Sequence, residues 1–83
     1  LGSGCWVGAD EGLTQYGASV IAAMKQAGML VDVSHCGPRT TMEALEAGGP
    51  HVLVTHSNCR TLVPPQPRCK YDDVIRATAA KEG

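Results

Sequence analysis

The stretches LVDVSH at residues 30–35 and HVLVTHSN at residues 51–58 decide the fold of this chain. Each is a short run of apolar residues, rich in valine, that reaches a histidine and then gives way to small polar residues. Because branched apolar residues favour extended backbone, we predict strands over 30–35 and 51–56. The two histidines, His35 and His56, then lie at the carboxyl ends of their strands.

Segments with the helical spacing of apolar residues lie before, between and after the two strands. A capping threonine, a proline suited to a first helical position and glycines suited to helix ends set their limits. The predicted helices cover residues 15–27, 38–47 and 72–82. Helices that alternate with almost fully apolar strands indicate an α/β fold with parallel strands, as in doubly wound sheets or (β/α)8 barrels. Since two strands cannot close a barrel and would leave apolar edges unpaired, we expect the chain to be a segment of a larger domain or to associate.

Composition excludes several classes of partner. The 83 residues carry a formal net charge of -1 and 18% charged residues, which gives no electrostatic reason to expect nucleic acid or an anionic membrane as partner. No apolar run is long enough to form a membrane segment. The four cysteines form no CxxC pair and follow no secretory signal, so we expect free thiols and a cytoplasmic location.

The positions of the two histidines predict a metal site. Functional residues of parallel α/β folds gather at the carboxyl ends of the strands, and imidazole is a good zinc ligand. By strand alternation His35 shares a face with Val33, so we predict that His35 and His56 converge on one ion. Asp32 has the opposite parity. We expect it to point away from the metal and to bond to backbone or a hydroxyl, with Ser34 on the same side as a candidate partner.

Two other interpretations of these histidines stay open. Each imidazole could simply bond to nearby backbone at a strand end. Alternatively, His35 and His56 could join Cys36 and Cys59 in a closed tetrahedral zinc site. That structural site requires the backbone to turn between His35 and Cys36, since neighbours in one extended strand point to opposite faces.

Longer motifs in the chain resemble a known family. The stretches GLTQYG, GMLVDVSHCGPRTTMEALE and VTHSNCRTLVPPQPRCKYDDVIRA together resemble the membrane dipeptidase (renal dipeptidase) family of amidohydrolase-like zinc peptidases, over nearly all of residues 1–83. The resemblance implies a (β/α)8 (TIM-type) barrel with two zinc ions per intact enzyme, of which this chain is a partial segment. It also implies that His35 and His56 bind the same one of those ions. Arg68 matches the family's arginine that holds the free carboxylate of the dipeptide.

The resemblance implies a function as well. The intact enzyme would hydrolyse the peptide bond of dipeptides by attack of a metal-activated water, and it would form a homodimer. The family's HxD motif, its bridging glutamate and its late aspartate are not found in this sequence. We therefore assign no catalytic residue to this chain and expect it to be inactive alone. The alternative is a non-catalytic βα module or barrel remnant.

Overall fold

The computed structural model describes residues 1–82, which contain three α-helices and two short parallel strands. The helices and strands are α1 (Gln15–Gln26), β1 (Val31–Asp32), α2 (Pro38–Gly48), β2 (Val52–Leu53) and α3 (Asp72–Ala80), with a 3-10 turn (Gly49–His51) between α2 and β2. The predicted α/β fold with three helices and two parallel strands is confirmed. No helix among these residues combines the length and the apolar character that a membrane span requires.

The two strands pair in a parallel register that fixes the rest of the fold. Val31 lies opposite Val52, and Asp32 lies opposite Leu53. One further backbone bond, from the Val33 amide to the Leu53 carbonyl at 3.0 Å, extends the ladder. Both strands therefore run in the same direction, and their carboxyl ends lie at one edge of the sheet.

The paired segments are shorter than the predicted strands over 30–35 and 51–56. At the amino ends, Leu30 is exposed and precedes the pairing, while His51 belongs to the 3-10 turn. That turn is closed by a bond from the Val52 amide to the Gly49 carbonyl.

Side-chain oxygens replace the backbone ladder at the carboxyl ends of β1 and β2. The Thr55 amide donates to Asp32 Oδ1 at 3.3 Å and to Ser34 Oγ at 3.1 Å. The His56 amide also donates to Ser34 Oγ, at 3.1 Å. Because these amides bond to side chains and not to carbonyls, regular pairing stops while the two segments stay side by side.

The helix limits lie close to the predicted 15–27, 38–47 and 72–82 and follow from local chemistry. The Thr14 side chain accepts from the Gly17 amide at 2.9 Å and so caps α1. Gly28 follows that helix with a left-handed φ of 75°, a conformation that glycine adopts without steric cost. Helix α3 ends at Ala80, earlier than predicted, and the left-handed φ of 62° at Glu82 is incompatible with a helix that continues to that residue.

The core lies between the strands and the first two helices. Its buried apolar residues are Ile21 from α1, Ala44 and Leu45 from α2, and Val31, Val33 and Val52 from the strand segments. Val31 and Val33 alternate with Asp32, which is exposed on the opposite face of β1. Val31 and Val33 therefore face the helices, and Asp32 faces away from them.

Asp10 caps helix α2 from a distant part of the chain. The N-cap residue of α2, Gly37, has no side chain of its own, and a Cβ at that position would collide with the Asp10 carboxylate. Asp10 Oδ2 accepts from the Arg39 amide at 2.7 Å, and Oδ1 accepts from the Thr40 hydroxyl at 3.1 Å and the Gly12 amide at 3.0 Å. Partial burial raises the pKa of Asp10, but these hydrogen bonds outweigh it and hold the pKa below its usual value.

Replacing the Asp10 cap should destabilise the chain in a pH-dependent way. We expect Asp10→Ala to lower the free energy of unfolding by about 1 kcal/mol at neutral pH, the usual loss for a helix cap. The folded pKa of Asp10 is depressed, so its contribution is complete above the unfolded pKa of about 3.9 and is lost as pH falls through the folded value. Urea unfolding at pH 7 and near pH 3 measures both effects. Glu11→Ala, at the exposed neighbouring residue, is the control, and an equal loss in the two variants would contradict the capping role.

Candidate functional site

The imidazoles of His35 and His56 meet at the carboxyl edge of the two strands. Their ring centroids lie 4.9 Å apart, with an angle of 51° between the ring planes. Both residues are exposed, so the pair faces solvent and not the apolar core. The structure thus brings together the two histidines that the sequence predicts as ligands of one ion.

A tight turn of the backbone places His35 beside His56. The Cys36 amide bonds to the Val33 carbonyl at 3.1 Å, and the Cys5 amide bonds to the His35 carbonyl at 2.7 Å. His35 itself has a left-handed φ of 64°, which costs a residue other than glycine about 1–2 kcal/mol. Strand alternation therefore ends before His35. The prediction that His35 shares a face with Val33 is wrong, because Val33 is buried against the helices while His35 is exposed.

Asp32 bonds to backbone and a hydroxyl as predicted, but it does not point away from the histidines. Its Oδ1 accepts from the Ser34 amide at 2.9 Å, and its Oδ2 accepts from the Thr55 hydroxyl at 2.6 Å. Thr55 Oγ1 in turn lies 2.8 Å from Nδ1 of His56. Asp32 therefore reaches the His56 imidazole through one hydroxyl group, that of Thr55.

The charge of Asp32 is stabilised by the same contacts. Partial desolvation raises the pKa of Asp32, while the hydrogen bonds from Thr55 and Ser34 lower it by more, so that its pKa lies far below the usual value. Asp32 is therefore an ionised carboxylate at neutral pH. An ionised carboxylate can only accept hydrogen bonds.

The direction of these bonds fixes the tautomer of His56. Thr55 has one hydroxyl proton, and it is donated to the Asp32 carboxylate. Thr55 Oγ1 must then accept from Nδ1 of His56, so the neutral imidazole carries its proton on Nδ1. The free lone pair is on Nε2, to which no residue among 1–82 donates a hydrogen bond. A carboxylate or hydroxyl behind one ring nitrogen is the usual way in which proteins orient a metal-binding histidine.

Arg68 and His56 line the same cavity. This open cavity, of about 310 Å³, is bounded by His56, Ser57, Asn58, Gln66, Arg68 and Cys69. The Ser57 hydroxyl donates to the Arg68 carbonyl at 2.8 Å and so ties the loop that carries Arg68 to the end of β2. A larger cavity of about 540 Å³ beside β2 and α3 is mostly apolar and includes neither histidine, so the smaller one is the candidate site.

The two arginines of this loop have different environments. Arg60 Nε donates to the Pro64 carbonyl at 2.7 Å, and its guanidinium lies 5.1 Å from the centroid of the Tyr71 ring. Arg68 is exposed, and within residues 1–82 its guanidinium makes neither a hydrogen bond nor an ion pair. Arg60 therefore holds the loop together, whereas Arg68 has its donors available for a ligand.

Comparison with known proteins gives the chain its family. Residues 3–83 match the model of the membrane dipeptidase family, Peptidase family M19. The chain belongs to the membrane dipeptidase family. A dipeptidase of Schizosaccharomyces pombe is 36% identical over 74 residues, which are 89% of this chain and 18% of that protein. The resemblance inferred from the two histidine motifs is thereby confirmed.

Other relatives agree with this assignment. Dipeptidase verJ of Clonostachys rogersoniana is 35% identical over 72 residues, 87% of this chain and 18% of its own length. Dipeptidase 3 of Rattus norvegicus is 35% identical over 52 residues, 63% of this chain and 11% of its own length. The chain thus spans about a fifth or less of the dipeptidases it matches. No solved structure is significantly similar to it.

The described part of this membrane dipeptidase sequence does not form a complete metal centre. Within residues 1–82, no group of three or more histidine, cysteine, aspartate or glutamate residues is placed to hold an ion. The alternative of a closed site with Cys36 and Cys59 is therefore not found among them. Within residues 1–82, His35 and His56 have no third histidine, cysteine or carboxylate beside them that could complete such a group. The four cysteines form no disulfide in the described part of the chain.

Sequence reasoning missed Thr55 and Lys70. Thr55 directly precedes His56 and carries the one hydroxyl that joins it to Asp32, so its position in the motif was the available signal. Lys70 is buried, and its ammonium group bonds to the turn that carries His35. No pattern in the sequence marks this lysine as buried, because its partners are backbone carbonyls far away along the chain.

The Thr55 hydroxyl should control the tautomer of His56. We expect Thr55→Val to remove the acceptor for Nδ1, so that neutral His56 shifts from the Nδ1-protonated form towards a mixture of tautomers. Thr55→Ser keeps the hydroxyl and should keep the wild-type tautomer. Long-range 1H–15N correlation spectra of the neutral imidazoles distinguish the forms, with His51 as internal reference. Identical His56 nitrogen shifts in the wild type and Thr55→Val would contradict the inferred direction of the bond.

Proposed function

We propose that this chain is part of a binuclear zinc dipeptidase that hydrolyses dipeptides, built as a (β/α)8 barrel in the whole protein. The observation that carries the proposal is the pair of imidazoles from His35 and His56, whose rings lie 4.9 Å apart at the carboxyl ends of neighbouring parallel strands. Functional groups of (β/α)8 barrels lie at that end of the strands. Membership of the membrane dipeptidase family supports the same activity.

The donor set suits zinc. Neutral imidazole nitrogen is a preferred ligand of Zn²⁺, and His56 has Nε2 free because Nδ1 is directed to Thr55. Asp32 behind Thr55 supplies the carboxylate that commonly supports a metal-binding histidine. Both imidazoles are exposed, so an ion can reach them from solvent.

The chain's own residues would bind and orient the substrate around such an ion. Bound zinc supplies Lewis-acid chemistry, which polarises a carbonyl and lowers the pKa of water towards about 7. Arg68 would hold the free C-terminal carboxylate of the substrate, since a planar guanidinium can donate two parallel hydrogen bonds to it. Because Arg68 and His56 border one cavity, the carboxylate would bind near the metal, which favours dipeptides over longer chains.

A second candidate function rests on the small number of ligands. A catalytic zinc site usually has three protein ligands and an open position, and residues 1–82 contain two histidines in contact and no third group beside them. A non-catalytic βα module or barrel remnant would have the same fold and bind zinc weakly or not at all. Zinc binding by the two histidines separates the two proposals.

The first test is zinc binding by the chain. We expect the 83-residue chain to bind Zn²⁺ weakly and to lose this binding when His35→Ala and His56→Ala are combined, because both nitrogen ligands are then absent. Isothermal titration with zinc measures the affinity of both proteins.

His51→Gln serves as the control for this experiment. His51 is the third histidine of the chain and lies in the 3-10 turn at the opposite end of β2. This variant should bind zinc like the wild type. Equal zinc affinity in the wild type and the double variant would exclude the proposed ligands and favour the non-catalytic module.

The second test concerns Arg68. In a full-length dipeptidase that carries this segment, we expect Arg68→Ala to raise KM for dipeptides at least tenfold, roughly the loss of 1.4 kcal/mol or more of carboxylate binding. The rise should disappear for dipeptide amides, which have no free carboxylate. Steady-state kinetics with both substrate types measure the difference.

Arg76→Ala is the matched control, since Arg76 is an exposed arginine on α3. Its kinetic constants should equal those of the wild type. Arg68→Lys keeps the charge but not the paired donors, so its KM should lie between that of the wild type and that of Arg68→Ala. An unchanged KM and kcat in Arg68→Ala would show that this arginine does not bind the carboxylate.

A further inference from the structure

Lys70 is a buried lysine whose ammonium group bonds to backbone carbonyls and a hydroxyl. Lys70 is 5% exposed, and its ammonium group donates to the carbonyls of Val33 at 2.8 Å and of Cys36 at 2.9 Å. A third hydrogen bond, at 3.2 Å, goes to the Thr41 hydroxyl. The three protons of the ammonium group are thus all used, which is what a buried charge requires. No acidic group contacts this nitrogen in the part of the chain that the structure describes.

The two carbonyls that Lys70 binds belong to the residues at the two ends of the His35 turn. Val33 and Cys36 are the first and last residues of that turn, and the Cys36 amide closes it on the Val33 carbonyl at 3.1 Å. His35, inside the turn, has the left-handed φ of 64°. Backbone of this kind persists only where its surroundings hold it. Lys70 holds both ends at once, and the Cys5 amide holds the middle through the His35 carbonyl.

The backbone of Lys70 is anchored to the other half of the candidate site. The Lys70 amide donates to the Asn58 carbonyl at 2.9 Å, and the Lys70 carbonyl accepts from the Arg60 amide at 2.7 Å. Asn58 follows His56 closely in the chain, and Arg68 lies just before Lys70. One residue therefore bonds through its side chain to the turn with His35 and through its backbone to the loop with Arg68.

We propose that Lys70 is a positioning residue, which holds the His35 turn in its left-handed conformation and joins it to the loop that carries Arg68. Its buried ammonium group acts as an internal cation for the carbonyls of the turn and keeps His35 beside His56. This role rests on the proposed function in one respect, namely that His35 binds the metal.

Zinc titration of three variants of the chain tests the role of Lys70. Lys70→Met keeps the apolar stem and removes the ammonium group, so its zinc affinity should fall by about tenfold or more, the usual loss when support behind a metal ligand is removed. Lys25→Met makes the same change at an exposed lysine of α1 and should bind zinc like the wild type. Val74→Ala removes apolar volume from the buried side of α3 and should lower stability without lowering the zinc affinity of the folded chain.

The pattern of results separates the possible failures. Absence of zinc binding by the wild type would contradict the proposed function and, with it, the role of Lys70. Wild-type zinc affinity in a folded Lys70→Met chain would overturn the role of Lys70 alone. Equal losses of affinity in Lys70→Met and Val74→Ala would attribute the effect to stability and would also overturn it.

A measurement on the wild type covers the case in which Lys70→Met does not fold. The side-chain 15N signal of a fully bonded, buried ammonium group can be followed in a chain labelled at lysine. We expect saturation with zinc to shift the Lys70 signal, because the ion would bind His35, which lies between the two carbonyls that accept from Lys70. The signals of the exposed Lys25 and Lys81 should not change. A Lys70 signal that does not move at zinc saturation would overturn the proposal.

Discussion

The parallel register of β1 and β2 is the constraint on which the rest of the structure depends. Val31 opposite Val52 and Asp32 opposite Leu53 bring the carboxyl ends of both strands to one edge. A shift of one residue would turn Val31 away from the helices and move Asp32 into the core. The apolar core on one face and the polar edge near His56 are therefore two consequences of the same pairing.

Polar groups shape the edge that the register creates. The side chains of Asp32 and Ser34 replace the backbone ladder where regular pairing stops, and the Thr55 hydroxyl links the Asp32 carboxylate to the His56 ring. On the other side of the site, Lys70 bonds to the carbonyls that flank His35. His56 is thus supported by the Asp32 carboxylate through the Thr55 hydroxyl. His35 is supported by the Lys70 ammonium group through the backbone carbonyls on either side of it. Both supports leave the imidazoles exposed.

The sequence predicts the elements of this fold better than their ends. Periodicity and capping residues locate the helices, and the apolar runs locate the strands, because these signals depend on neighbours along the chain. The early end of strand pairing was not predictable in this way. It depends on the side chains of Asp32 and Ser34 reaching the amides of Thr55 and His56 across the sheet.

The same limit applies to the site. Two histidines after apolar runs were enough to predict that the rings converge, and their motifs were enough to identify the family. Alternation of faces fails at His35, because a left-handed conformation at a residue other than glycine leaves no sequence signal. Asp32 also lies closer to the His56 ring than alternation predicts, because both groups bond to the Thr55 hydroxyl. The burial of Lys70 also depends on distant carbonyl groups, which periodicity cannot reveal.

The support of His56 has a consequence for how such a site can be inherited. Within residues 1–82, the polar groups that hold its amide and its ring come from Asp32, Ser34 and Thr55, and all of them belong to one continuous strand–helix–strand stretch. Copying or transferring that single stretch would carry with it an imidazole that is already oriented by its own hydrogen bonds.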